Sequence, residues 1–210
     1  MAVLAISRQF GAGGWTMGKV IADRLGYKFV SSRIINEMAE EANVSVEWIK
    51  GVEKHAGDWL MRYVTNMVNS SFIDRKVGES KTDFDEKKYV SFLAKIVKRI
   101  ADEDNIVILG RGSQFILQDR PDVFQLLIVA DLEDRIKFLE KIWDISRKEA
   151  EKAIQTREKR RDAFLKYFKK GHPNSLNLYH LIINTSKMDI DQAEDLVTYL
   201  VKNFEEKIKK

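Results

Sequence analysis

No cysteine occurs among the 210 residues, which excludes disulfides and thiolate metal sites. The three histidines, His55, His172 and His180, are too scattered to suggest an imidazole cluster. Proline is scarce as well, at two positions, so the chain lacks the composition of a linker or a low-complexity segment. No apolar run approaches a membrane span, and the first ten residues lack the basic region and long apolar stretch of a secretory signal. The expectation is a cytoplasmic protein with no membrane attachment. Neither sign of charge is in large excess: 36 Lys and Arg against 32 Asp and Glu give +4, spread along the chain. Such a balance is weak ground for nucleic acid, and none is expected as a partner. It fits a basic cleft for a small phosphorylated ligand and a lysine-rich solvated surface equally well.

What is present is a globular balance, 44% hydrophobic and 32% charged, in a chain of the length for one α/β domain with an inserted lobe. Four short apolar runs, at residues 2–6, 106–109, 123–130 and 178–183, read as buried parallel strands, and a fifth is expected at 27–30. Their near-continuous apolar character is what a sheet covered on both faces demands. Between them the period changes. Leu132, Ile136, Leu139 and Trp143 line one face of a helix expected to pack on the sheet, and Ser146 with Glu149 forms a capping box at the start of another. Ile190, Ala193, Val197, Leu200, Val201, Phe204 and Ile208 make the stripe of the last helix. Alternating strands and helices predict a doubly wound parallel sheet of about five strands with helices on both faces. Residues 44–89 differ in texture, with a long polar stretch from Arg75, and read as an inserted helical lobe.

The strongest local chemistry follows the first strand. Ser7-Arg-Gln-Phe-Gly-Ala-Gly-Gly-Trp-Thr16 joins a buried strand to an amphipathic helix bearing Met17, Ile21, Ala22 and Leu25. Glycine lets a backbone turn its amides inward, and those amides with a helix N-terminus behind them cradle an anion. Gly11, Ala12, Gly13, Gly14, Trp15 and Thr16 are therefore the candidate nucleotide-binding residues. The Thr16 hydroxyl is placed to reach a phosphate-bound Mg²⁺. The standard G-x-x-x-x-G-K-[ST] pattern is not met: Gly14 stands where lysine should follow Gly13, and Arg8 replaces the first glycine.

Ile6-Ser-Arg-Gln-Phe-Gly-Ala-Gly-Gly14, Leu109-Gly-Arg-Gly112 with Ile116-Leu-Gln-Asp-Arg-Pro121, and Ile182-Ile-Asn-Thr-Ser186 resemble, as a set and in order, the cytidylate kinase-like family of P-loop proteins. The resemblance implies a P-loop nucleotide-kinase fold, ATP and Mg²⁺, and transfer of the γ-phosphate to a small phosphorylated acceptor, with CMP or dCMP the best match. It also implies that Gly11, Ala12, Gly13 and Thr16 form the phosphate loop and that Arg111 contacts the acceptor nucleotide. Compared with the cytidylate kinases from which that family takes its name, Gly14 stands at the loop lysine, Gly112 at an aspartate after the Gly-Arg pair, and Ser7 at an aspartate before the loop.

Phosphoryl transfer needs positive charge around the transferring group. Arg8, on the loop itself, is the first candidate to replace the missing lysine, because its guanidinium can grip phosphate oxygens by two bonds. Lys19 ranks behind it. Arg157, Lys159, Arg160 and Arg161 form a second cationic group, and the resemblance assigns Arg157, Arg160 and Arg161 to a lid, about residues 146–172, that closes over the phosphates. A solvent-facing charged helix balanced by Glu149, Glu151, Glu158 and Asp162 is the alternative. Weaker candidates are Ser32 and Arg33 for the acceptor, Trp15 for stacking on adenine, and Asn184 with Thr185 for the donor base. Three readings stay open: a nucleoside monophosphate kinase, a kinase for another small acceptor, and a nucleotide-binding or regulatory protein with impaired catalysis.

Overall fold

The apolar runs pair as parallel strands. A computed structural model of the chain describes residues 2–31, 86–166, 168 and 175–209. It contains β1 (Val3–Arg8), β2 (Lys28–Val30), β3 (Ile106–Leu109), β4 (Val123–Val129) and β5 (Leu181–Asn184) in the order β2-β3-β1-β4-β5. Every pairing is parallel. β1 lies at the centre and is buried from Val3 to Ser7, which is why its sequence does not alternate. Because β3 and β4 flank β1, the strand order reverses beside its C-terminal end. Open α/β sheets gather ligands at that point.

Helices α1 (Gly14–Leu25), α2 (Glu86–Ala101), α3 (Ser113–Ile116), α4 (Leu132–Trp143), α5 (Arg147–Lys166) and α6 (Ile190–Ile208) complete the described elements. Leu4, Ile6, Val107, Leu109, Phe124, Leu126, Ile128 and Ile183 of the sheet pack on Met17, Ile21 and Ala22 of α1 and on Ala193, Val197 and Val201 of α6. Those helix positions recur at three- and four-residue spacing, so each helix lays one stripe on the sheet. The stripe of α6 is narrower than its sequence implies, for Ile190 is 42% exposed.

Two units of contact divide the chain: residues 1–32 with 97–210, and residues 33–96. The sheet belongs to the first. The candidate lobe at 44–89 lies outside the described residues except for 86–89, which begin α2. Of the candidate lid, 146–166 and 168 are described. Among the described residues no helix is long and apolar enough to cross a membrane.

Two details differ from the sequence reading. The last strand begins at Leu181 rather than 178, since Leu176–Leu178 form a 3₁₀ turn closed by Tyr179 N–H on Leu176 O. Helix α4 buries Ile136 and Leu139 against Ala150 and Ile154 of α5, with Phe10 alongside, instead of against the sheet. An amphipathic stripe says that a helix buries one face, not which element covers it. At the start of α5 the Ser146 N–H and hydroxyl donate to Glu149 Oε2 at 2.9 and 2.6 Å, and Glu149 N–H donates back to Ser146 Oγ at 3.4 Å, forming the capping box.

His180 holds the sheet edge. Its Nδ1 accepts from Gln125 N–H at 3.0 Å, and its ring stacks on Phe124 with centroids 5.1 Å apart. Burial lowers its pKa below the ordinary 6.5, so the folded state prefers the neutral ring that this bond requires. The linked stability is present above about pH 6.5 and is lost as pH falls through the depressed folded value. Denaturant midpoints measured between pH 7.5 and 5 should fall more steeply for the native chain than for His180→Gln.

Candidate functional site

The loop after β1 is held open by its neighbours. Gln9 N–H donates to Ile128 O at 2.9 Å, and Gln9 Oε1 accepts from Ala130 N–H at 3.1 Å. The chain then turns through Gly11 (φ 87°) and Gly13 (φ 77°), backbone that side-chain-bearing residues adopt only with strain. A Cβ at Gly11 would meet Arg135 Cβ at 3.0 Å and its carbonyl oxygen at 3.2 Å. Gly13 is the N-cap of α1, and Met17 N–H makes the first intrahelical bond, to Gly13 O at 3.1 Å. The amides of Gly14, Trp15 and Thr16 thus have no acceptor within the helix and face its open end. Ala12 is buried, and its carbonyl accepts from Thr185 Oγ1 at 3.4 Å.

At Gly14 and Gly112 the place of the missing polar side chain is filled. Gly14 opens α1 without a positive φ, yet a Cβ there would lie 2.9, 3.1 and 3.2 Å from Cβ, Cγ and Cδ of Arg8. The stem of Arg8 therefore runs through the space where a loop lysine would leave the backbone. Burial, then the neighbouring charges of Arg111 and Arg161, pull the Arg8 pKa down to about 10. It stays protonated at neutral pH, and it is near enough to Arg111 and Arg161 to feel their charge. At Gly112 (φ 70°) a Cβ would lie 2.5 Å from Cε2 of Phe168. That ring stacks on Phe115 at 5.9 Å and meets Phe164 edge-on at 5.3 Å.

The Gly110–Arg111–Gly112 turn is left-handed throughout, with φ of 81°, 58° and 70°. Gly110 N–H donates to Ile6 O at 2.8 Å, which fixes the turn at the end of β1. Left-handed backbone at a residue with a side chain costs on the order of 1 kcal/mol or more and is met chiefly at functional sites. Here it carries Arg111, whose Cζ lies 5.9 Å from the Phe164 ring centre.

Of the candidate lid residues, Arg161 is the one within electrostatic reach of Arg8, half-buried on α5. Arg157 is exposed and lies over the Phe10 ring, Cζ 5.3 Å from its centre. Arg160 is exposed. Successive helical residues are about 100° apart, so Arg160 and Arg161 cannot both face the loop.

Glu158 is a residue that sequence reasoning missed, having counted it among acids balancing a solvated helix. Its Oε1 accepts from Phe10 N–H at 3.1 Å and from Arg135 Nη1 at 3.0 Å, tying α5 to the glycine-rich loop after β1. Arg135, 8% exposed, also donates to Phe10 O at 3.4 Å. No local pattern announces a bond spanning 148 positions. Glu158→Ala should cost about 2 kcal/mol by leaving a buried guanidinium under-compensated. Glu158→Gln, which keeps an acceptor, should cost less; urea denaturation of both checks this.

The other candidates fall nearby with different surroundings. Trp15 is 55% exposed, edge-on to Phe29 at 6.1 Å, with Lys19 Nζ 5.9 Å from its ring centre. Lys19 is thus occupied on the outer side of α1. Thr16 is exposed in the first turn of α1. Asn184 holds the start of α4, with its amide on Asp131 Oδ1 at 3.3 Å. Ser32 and Arg33 lie outside the described residues.

A central strand, a glycine turn into a helix and a 2-3-1-4-5 parallel sheet define a P-loop kinase fold. Residues 3–187 match the cytidylate kinase-like family, and the chain belongs to it. A cytidylate kinase of Methanopyrus kandleri is 27% identical over 203 residues, 91% of this chain and 88% of that one. A protein of Eubacterium ventriosum has a similar solved structure, with TM-score 0.68 and 18% identity over 96% of this chain and 99% of that one. Shikimate kinase from Bacteroides thetaiotaomicron superposes with TM-score 0.50 at 13% identity over 96% and 98%.

Proposed function

We propose that the protein transfers the γ-phosphate of ATP to a small phosphorylated acceptor, with CMP or dCMP first in order. The observation that carries this reading is a buried Arg8 beside the open amides of the loop, within electrostatic reach of Arg111 and Arg161. Three cations that repel one another are stabilised together when an anion enters. Phosphoryl transfer asks chiefly for such charge and for in-line positioning. The space at Gly14 holds an arginine stem, so the lysine's absence supports substitution rather than loss of catalysis. The cytidylate kinase relative supports the choice of acceptor.

In this reading the loop at 11–16 holds the donor phosphates through the open amides of Gly14, Trp15 and Thr16. Arg8 neutralises the transferring group, Arg111 grips the acceptor phosphate, and Arg161 covers both. Arg157, packed over Phe10, steadies the lid against the loop, and Arg160 remains on its outer side. Thr16 fits Mg²⁺ as the exposed hydroxyl beside the open amides, with phosphate oxygens as the other ligands. Bound there, the ion would offset charge on the donor phosphates. α5, tethered through Glu158, excludes water from the transfer.

A coupled ADP-release assay across CMP, dCMP, UMP, AMP, GMP and shikimate tests the reading. Turnover of a pyrimidine monophosphate supports it. Turnover of none, with no ATP binding by calorimetry at millimolar ligand and Mg²⁺, overturns it. Arg111→Ala should weaken CMP binding by about 1.5 to 3 kcal/mol, the range for a charge-assisted hydrogen bond, with ATP affinity little altered. Calorimetry with each ligand separates the two, and an equal loss for both would assign Arg111 to the donor.

A further inference from the structure

The end of α5 lies against the left-handed turn Gly110, Arg111, Gly112. Phe164 follows Arg161 by three positions, so both leave the same side of α5. Phe168 comes about one turn later, its N–H donating to Leu165 O at 3.2 Å. The Phe168 ring fills the space where a side chain on Gly112 would begin, with Cε2 2.5 Å from that point. It lies nearly parallel to Phe115 of α3, at an interplanar angle of 14° and a centroid distance of 5.9 Å, and it meets Phe164 edge-on at 77° and 5.3 Å. Phe164 in turn faces the Arg111 guanidinium, whose Cζ is 5.9 Å from the ring centre. An aromatic face attracts a cation within about 6 Å. Phe115 is buried, and Phe164 and Phe168 are half-buried, so the contacts run unbroken from the core to the cation. A long side chain loses rotamer entropy when it is ordered, and a ring beneath the guanidinium supplies a surface that holds its plane. Glycine at 112 is what admits that support, since a side chain there would displace Phe168.

We propose that Phe164 is a positioning residue for Arg111, its ring face holding the guanidinium in place for the acceptor phosphate, with Phe168 and Phe115 behind it. This deepens the kinase reading and rests on it. Phe164 belongs to α5 and Arg111 to the turn after β3, so the lid and the acceptor site share one contact. Acceptor affinity therefore depends on where α5 lies. An aliphatic side chain at 164 would fill the volume but has no negative face to offer the cation.

The test is Phe164→Leu beside Phe164→Tyr in the full chain, the first keeping apolar bulk and the second the ring face as well. Calorimetry with CMP and with ATP, each with Mg²⁺, should show CMP affinity falling roughly two- to thirtyfold in Phe164→Leu, the scale of one cation–π contact. ATP affinity should change little, and Phe164→Tyr should keep the native affinity for CMP. In an Arg111→Ala background, Phe164→Leu should cost CMP affinity nothing further, since the cation is gone. Phe168→Leu, which withdraws the edge-on support without touching Arg111, serves where Phe164→Leu does not fold and should weaken CMP binding in the same direction. An equal loss in both backgrounds, or an equal loss for CMP and ATP, would make Phe164 structural and overturn the inference. Unchanged CMP affinity in Phe164→Leu, or in Phe168→Leu where only that variant folds, would overturn it while leaving the kinase reading intact. A native chain that binds ATP but not CMP would overturn it together with the acceptor role of Arg111. One that binds neither would overturn the kinase reading as well.

Discussion

Arg8→Ala should lower kcat by about 10²-fold or more, the scale of removing one preorganised donor to developing charge, with the fold and much of the ATP affinity retained. Steady-state kinetics with the best acceptor reads it directly, and full activity in the variant would assign the charge to Arg161 or Arg157 instead. The packing at Gly14 sharpens the complementary experiment. Residue 14 has no positive φ to forbid a lysine, and the obstacle is Arg8 itself, with Cβ, Cγ and Cδ all within 3.2 Å of a Cβ placed there. Gly14→Lys alone should therefore displace Arg8 and lose activity. In an Arg8→Ala background the Cβ contact at 2.9 Å persists, so recovery should be partial. The pair Arg8→Gly with Gly14→Lys removes the whole obstruction and should recover more. No difference between the two pairs would show that the arginine stem and the lysine do not compete for that space.

Gly112→Asp, which introduces the acid that the resemblance to cytidylate kinases places there, should destabilise the protein by about 3 kcal/mol. A left-handed backbone carrying a side chain costs about 1 to 2 kcal/mol. The new Cβ at 2.5 Å from Phe168 must also push that ring out of its contacts with Phe115 and Phe164, each worth about 0.5 to 1.5 kcal/mol. Urea denaturation measures the sum, and Gly112→Ala should show most of it, since the first carbon already collides. Adding Phe168→Ala to Gly112→Ala should relieve the steric part and leave the backbone part. A wild-type midpoint for Gly112→Asp would mean that Phe168 yields its place freely and that the glycine is not there to admit the ring.

The sheet was legible because buried parallel strands need apolar side chains on both faces, and few other arrangements tolerate 106–109 or 123–129. The glycine turn after β1 was legible because left-handed turns favour glycine, as at Gly11 and Gly13. The arginine group was only half legible. Arg8 and Arg111 sit on motifs at the ends of adjacent strands, but choosing Arg161 over Arg160 depends on the rotational phase of α5. Glu158 was not legible at all, since it looks like one acid among several on a charged helix.

By itself the sequence determined the strands, the glycine turn, the helix caps and the absence of the loop lysine, since each follows from local backbone preference or side-chain period within a few residues. Only the tertiary structure decided which side chains occupy the vacated places: Arg8 over Gly14, Phe168 over Gly112, and Glu158 on the loop amide of Phe10. Those contacts join positions 6, 56 and 148 residues apart. Their geometry is set by strand register and helix phase, so it exists only once the sheet has brought the ends of β1, β3 and β4 together with α5.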